Sequence, residues 1–224
     1  MSSLILTPPT PPSPAEHVAA ERVAAVSPRL LARIAGALYL VIFIVAPSGA
    51  ATATPLRMAL TTVCDLGVAF IFYALFRPVS RDLSMLALLF RLIFVAIMAL
   101  ASLNYFGAVD LLHSAHSAQA FDTLDRLSLV PFGVHCLLIG YLIYRSGFMA
   151  RFLGLGMALA GLTYVNFVYP WLVHIAFPYI LIPGVVGEGL LTVWLLAAAV
   201  NSGRWTERAG AASGLTIAPG GSTK

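Results

Sequence analysis

The sequence predicts an all-α protein that crosses a membrane six times as a bundle of transmembrane helices. Of its 224 residues, 60% are hydrophobic and only 10% are charged, a composition outside the range of soluble domains. The hydrophobic residues also form continuous runs of roughly 20 residues, the length that crosses a hydrocarbon core of about 30 Å. Since the runs do not alternate in polarity, they indicate helices rather than the strands of a membrane β-barrel.

The N-terminal segment, residues 1–28, is predicted to be a disordered, Pro-rich cytoplasmic tail. It contains Pro8, Pro9, Pro11, Pro12 and Pro14 followed by a short charged, Ala-rich stretch, and such a composition cannot bury a core. Its one apolar stretch, Leu4-Ile5-Leu6, is too short for a signal peptide. The first helix is therefore expected to be retained as an anchor.

Residues 29–205 are predicted to form the transmembrane domain, and residues 206–224 a flexible C-terminal tail rich in Gly, Ala and Ser. The predicted helices cover about 33–53, 57–76, 83–107, 127–145, 151–169 and 180–200. In the first helix the strongly apolar part ends at Pro47-Ser48-Gly49. The weakly polar stretch that follows, as far as Thr54, must complete the crossing or lie at the interface.

The basic residues predict the orientation of the bundle. With the N-terminus in the cytoplasm, only Arg57 and Arg126 lie outside, and Arg91 lies within the membrane. The other ten lie inside: Arg22, Arg29, Arg33, Arg77, Arg81, Arg145, Arg151, Arg204, Arg208 and Lys224. This excess follows the positive-inside rule. It predicts a multi-pass protein of the bacterial inner (plasma) membrane with both termini in the cytoplasm.

One long outer loop, residues 108–126, carries several groups that bind metals in other proteins. These are Asp110, His113, His116, Asp122 and Asp125. They could in principle hold a metal, but a solvated, partly helical connector is the simpler interpretation, and we predict no metal and no cofactor. The two cysteines, Cys64 and Cys136, lie inside apolar runs, so we expect small buried hydrophobic residues rather than a disulfide or a zinc site.

The most informative residues are Asp65, Arg91, His135 and Glu188, which lie inside four different apolar runs. An ionised group at the centre of a membrane helix costs about 2.5–3.5 kcal/mol, so such residues face the interior and pair or line a polar cavity. Each lies roughly 12 Å from the membrane surface at about 1.5 Å of rise per residue. They are therefore predicted to form one polar layer near the midplane.

Two interpretations of this layer stay open. In the structural one, Arg91 is neutralised by Asp65 or Glu188 in a buried ion pair, with His135 hydrogen-bonded nearby. In the functional one, the four residues form a binding site for a small molecule or ion. Small residues at Gly36, Gly154, Ala158 and Gly161 are expected to let neighbouring helices approach closely.

Four stretches resemble a bacterial family of six-helix membrane proteins known as the domain of unknown function DUF4386. They are RIAGALYL at 33–40, DLGVAFIFYALFRPVSRDLSMLALLFRL at 65–92, HCLLIGYLIYRSGFMARFLG at 135–154 and PGVVGEG at 183–189. The resemblance covers roughly residues 29–200 and implies a six-helix inner-membrane protein without implying an activity. The chain departs from the family in the connection at about residues 47–55, which is usually longer.

Three functional hypotheses follow. The first is a membrane protein that binds or moves a small molecule or ion through the midplane layer, with a homodimer as an expected assembly. The second is an intramembrane enzyme that uses His135 and Glu188, although no recognisable catalytic motif is present. The third is a non-catalytic scaffold or sensor. The bilayer is an expected partner, and nucleic acid is not, because the basic residues are scattered. We favour the first hypothesis and assign no catalytic residue.

Overall fold

The computed structural model describes residues 27–46, 50–107, 118–176 and 178–212, and in these ranges the chain is helical without a β-strand. The helices are α1 (Pro28–Val45), α2 (Pro55–Phe76), α3 (Arg81–Tyr105), α4 (Ala118–Ser146), α5 (Arg151–Val165), α6 (Pro170–Ala176), α7 (Ile182–Ala197) and α8 (Ser202–Ala212). Single 3-10 turns occupy Ala50–Thr52, Asn166–Val168 and Tyr179–Leu181.

Six helices are long and apolar enough to cross a membrane, which confirms the predicted fold class. These are α1 to α4, α5 with the 3-10 turn that follows it, and α7 with the 3-10 turn that precedes it. The spans form a closed ring in the order of the sequence, because each packs against the next and α7 packs back against α1. Each span therefore turns one face toward a shared interior.

Glycines set the closest contacts in this ring. A Cβ atom at Gly154 of α5 would lie 2.6 Å from the carbonyl oxygen of Gly140 in α4, and one at Gly161 would lie 2.7 Å from that of Gly133. Where the ring closes, a Cβ at Gly36 of α1 would lie 3.0 Å from Leu195 of α7. The predicted close contacts at Gly36, Gly154 and Gly161 are confirmed.

Helix α1 begins and ends earlier than the predicted 33–53. It starts at Pro28, whose missing N–H costs nothing in the first turn, so this last residue of the predicted tail belongs to the helix. It ends at Val45 because Ala46 precedes Pro47, and the residue before a proline avoids the helical conformation. The guanidinium of Arg57 then donates to the carbonyl oxygen of Val45 over 2.8 Å and caps this end.

Helix α4 begins at Ala118, well before the predicted residue 127. Residues 118–126 are therefore helical, in agreement with the partly helical connector expected for 108–126, and the predicted start of the helix at residue 127 is too late. Hydropathy did not detect this part because Asp122, Asp125 and Arg126 make it polar. Of the other groups in that loop, Asp110, His113 and His116 lie outside the described residues.

Helix α8 replaces the first part of the flexible tail predicted for 206–224, which is wrong as far as Ala212. Backbone carbonyls of the bundle hold this helix in place: Trp205 Nε1 donates to Leu75 over 2.9 Å, and Arg208 donates to Arg145 over 2.9 Å. Such tertiary bonds are invisible in composition. Residues 1–26 and 213–224 of the two predicted tails lie outside the described residues.

Candidate functional site

Arg91 of α3 lies in the middle of the ring and is 1% exposed. Its Nη2 donates to Asp65 Oδ1 of α2 over 2.5 Å, an ion pair. Its Nη1 donates to the Tyr39 hydroxyl of α1 over 2.7 Å and lies 3.1 Å from His135 Nε2 of α4. One guanidinium thus connects four consecutive transmembrane helices.

Two aromatic rings also compensate the charge of Arg91. Its Cζ atom lies 5.0 Å from the ring centre of Tyr39 and 5.1 Å from that of Phe132. A guanidinium at this distance over a ring face gains from the cation–π interaction, which is larger away from water. The charge and both terminal nitrogens of Arg91 are therefore compensated by this protein's own side chains, as the structural interpretation requires, whereas its Nε has no hydrogen-bond partner among the described residues.

The hydrogen bonds of His135 define its tautomer. Nδ1 lies 2.8 Å from the carbonyl oxygen of Ala87, which can only accept, so Nδ1 carries the proton. Nε2 faces Arg91, which can only donate, so Nε2 accepts. Both ring nitrogens of a neutral imidazole are thus engaged. This arrangement does not favour the hypothesis that His135 acts with Glu188 as acid and base.

Glu188 of α7, one of the two partners considered for Arg91, pairs with a tyrosine instead. Its Oε1 accepts a 2.5 Å hydrogen bond from the hydroxyl of Tyr164 in α5, whereas Arg91 pairs with Asp65. Gly184, one turn before Glu188, gives the Tyr164 ring its space, since a Cβ there would lie 2.6 Å from the hydroxyl. Of the two partners expected for Arg91, the structure selects Asp65.

A cavity of about 390 Å³ runs through the ring beside these groups. Asp65, Arg91 and Glu188 line its inner end, while Asp122, Asp125 and Arg126 of α4 line the other. His135 does not contribute to its wall. The remaining lining residues are mostly apolar or aromatic: Tyr39, Ile42, Phe43, Ala46, Met58, Thr61, Thr62, Phe94, Val95, Met98, Leu129, Phe132, Tyr164, Phe167 and Leu181.

The polar end of the cavity on α4 is also part of the fold. Asp122 Oδ1 accepts from the backbone N–H of Ala50 over 2.8 Å and so fixes the connection between α1 and α2. Arg126 is exposed there.

Among the described residues no group of three His, Cys, Asp or Glu side chains is placed to hold a metal. Cys64 and Cys136 are free, and both are buried as predicted.

Two residues of the site, Tyr39 and Tyr164, were missed by the sequence reasoning because tyrosine counts as an apolar aromatic in a hydropathy run. Tyr39 carried a usable signal. It lies in the middle of α1, whereas membrane tyrosines prefer the ends of a span. A buried tyrosine hydroxyl usually requires a hydrogen-bond partner, so a central tyrosine indicates a nearby polar group.

The model of the family described as Domain of unknown function (DUF4386) matches residues 46–199. An "Uncharacterized protein" of Archaeoglobus fulgidus is 36% identical over 106 residues, which cover 47% of this chain and 59% of that protein. This relative is archaeal, so the bacterial origin stays a prediction. No solved structure matches the chain. Because the family model covers more than half of the sequence, the chain belongs to the DUF4386 family.

Proposed function

We propose that this multi-pass membrane protein binds a small amphipathic molecule inside its ring of helices. One observation carries the proposal: a cavity of about 390 Å³ combines an apolar, aromatic wall with Asp65, Arg91 and Glu188 at one end. A few polar groups in a largely apolar cavity are typical of small-molecule sites. The polar part of the ligand would lie near Arg91 and Glu188, and its apolar part along the wall.

The ion pair between Arg91 and Asp65 forms the inner end, or floor, of the cavity and supports this proposal. Arg91 has its partners in Tyr39, Asp65 and His135 without a ligand, so the floor is already in place before a ligand arrives. A preformed site loses less free energy in ordering on binding. Beyond this floor the interior is filled by Phe72, Leu75 and Phe76, each at most 1% exposed. The arrangement therefore supports binding rather than an open channel.

Access to the cavity is available at two places. Of the lining residues, Phe43 is 40% exposed on the apolar face of α1, and Arg126 is exposed at the end of the ring where α4 begins.

We propose that the end near Arg126 faces away from the cytoplasm of a bacterial cell, because most arginines of the described helix ends lie at the opposite end. The predicted homodimer is not needed for this site.

The proposal is tested by filling the cavity. Purified protein in phosphatidylcholine nanodiscs is titrated with phenylbutylamine, phenylbutanol and phenylbutyrate, which share one apolar body. We expect at least one to bind to wild-type protein and to lose its binding in Leu129→Trp, because Leu129 lines the cavity. Leu127→Trp is the matched control, since Leu127 lies on the same helix and is 52% exposed. The proposal is wrong if none binds, or if both variants bind equally.

A further inference from the structure

We infer that the ligand of this cavity is an organic cation, a protonated amine on an apolar body, held by the carboxylates of Glu188 and Asp65. The inference rests on the proposed function and specifies the class of molecule. Three features of the lining carry it: its balance of charges, the carboxylate oxygens that lack a donor, and the aromatic wall.

The charge balance of the lining is negative. The carboxylates are those of Asp65, Asp122, Asp125 and Glu188, against the guanidinium groups of Arg91 and Arg126 only. Asp65 and Arg91 form an ion pair, whereas no arginine or lysine among the described residues forms one with Glu188. Its hydrogen-bond donor, Tyr164, is uncharged. A cation at Glu188 would supply the missing charge in a place where water cannot screen it.

Hydrogen bonding at the inner end points the same way. Glu188 and Asp65 are 7% and 4% exposed, and each accepts a side-chain hydrogen bond through one oxygen only, Oε1 and Oδ1. Within the described chain, Oε2 and Oδ2 have no donor, and both residues line the cavity. Carboxylate oxygens can only accept, so the missing partner is a donor such as an ammonium group.

An anionic ligand would find few donors at this end. Both terminal nitrogens of Arg91 are already hydrogen-bonded to Tyr39, His135 and Asp65. Its Nε has no hydrogen-bond partner among the described residues and is buried. A carboxylate or phosphate would therefore lie beside two carboxylates with the Tyr39 hydroxyl, which accepts from Arg91, as its one neutral donor among these groups, an arrangement that costs free energy.

The wall favours an organic cation over a metal ion. Phe132 lies 4.8 Å from Phe94 and 5.3 Å from Tyr164, measured between ring centres, so an aromatic cluster lines the cavity near the two carboxylates. Ring faces attract an ammonium group and also bury an apolar body. A hard metal ion requires about six oxygen ligands, and no metal-binding group of three ligands occurs in the described chain.

The test compares charge on one carbon skeleton. In phosphatidylcholine nanodiscs, we expect phenylbutylamine to bind wild-type protein and phenylbutanol and phenylbutyrate to bind about tenfold more weakly or worse. Glu188→Gln should weaken amine binding about tenfold or more, while Gln still accepts the Tyr164 hydrogen bond and preserves the shape. Glu207→Gln is the matched control, because Glu207 is exposed on α8 and should leave binding unchanged.

The outcomes separate the two proposals. Suppose that phenylbutanol or phenylbutyrate binds as tightly as the amine and loses its binding in Leu129→Trp. The inference that the ligand is a cation is then wrong, and the proposed binding site in the cavity stands. If none of the three binds, both proposals fall. Equal amine affinity in folded Glu188→Gln and wild type also overturns the assignment of Glu188. The comparison of the three probes uses wild-type protein, so it decides the charge of the ligand even if the variant does not fold.

Discussion

Gly184 of α7 lies so close to Tyr164 of α5 that a Cβ atom at residue 184 would be 2.6 Å from the tyrosine hydroxyl. That hydroxyl is the donor to Glu188, one helical turn further along α7. The absence of a side chain at residue 184 is therefore what lets the tyrosine reach the carboxylate.

Gly184→Ala should displace the Tyr164 ring and break its hydrogen bond to Glu188. We expect overpacking to lower the free energy of unfolding by about 1–3 kcal/mol, together with weaker binding of phenylbutylamine. Unfolding in mixed micelles and titration in nanodiscs measure the two effects. The control is Gly189→Ala on the same helix, where a Cβ would meet no atom within 4 Å. Equal behaviour of the two variants would contradict the positioning role of Gly184.

The ion pair between Arg91 and Asp65 should appear as a strong coupling in a double-mutant cycle. We expect Arg91→Met and Asp65→Leu each to lower the free energy of unfolding by about 3–5 kcal/mol, because each leaves an unpaired charge in the interior. The double variant, which removes both charges, should be more stable than the sum of the single effects predicts. Additive effects in reversible unfolding would show that the two groups do not depend on each other.

The contact between α4 and α5 should not tolerate a methyl group. Gly154→Ala would place a Cβ 2.6 Å from the backbone oxygen of Gly140, and backbone cannot move aside as a flexible side chain does. We expect a loss of about 1–3 kcal/mol in the free energy of unfolding. Gly156→Ala on the same helix is the control, since its Cβ would make an ordinary 3.5 Å contact. A stable Gly154→Ala variant would contradict this packing.

The orientation of the bundle can be tested by introducing one additional cysteine at a time and labelling it with a maleimide that does not cross membranes. Cys64 and Cys136 are 4% and 0% exposed, so we expect little background labelling. In spheroplasts of a bacterial host, Arg126→Cys should be labelled at once, and Glu207→Cys only after the membrane is broken, because the excess of arginines lies at the α8 end. The opposite pattern would place the Arg126 end of the ring in the cytoplasm and the α8 end outside it, and would overturn the proposed orientation.

The sequence was sufficient for the six spans because the apolar runs report contact with lipid directly. The same principle explains the errors. Two segments are helical without being continuously apolar: the first turns of α4, which contain Asp122 and Asp125, and the short helix α8, which is held by Trp205. Hydropathy measures the surroundings of a residue rather than the conformation of its backbone, so it left both segments out.

For the candidate site, the sequence predicts how deep each residue lies in the membrane but not how each helix is rotated about its axis. Counting residues from the helix ends brought Asp65, Arg91 and His135 together correctly, since the rise per residue in a helix is constant. Which carboxylate meets Arg91 depends on how α2 and α7 are turned about their axes, and this is decided by contacts such as that of Gly184 with Tyr164. The pattern of residues along the chain does not show these contacts between distant helices, so the choice between Asp65 and Glu188 required the structure.

The ring closes only when α7, the last span, packs against α1. The order of synthesis therefore determines the order in which the ionisable groups are buried. The ribosome delivers the N-terminal helices first, so Asp65 and Arg91 arrive on consecutive helices and can neutralise each other as soon as both are inserted. Glu188 arrives on the last span, after the groups that surround it. Glu188, one of the two carboxylates that we assign to the ligand, is therefore the last ionisable group of the cavity to be buried. A nascent chain that stops before α7 has an open ring and holds only the other carboxylate, that of Asp65, which is already paired with Arg91.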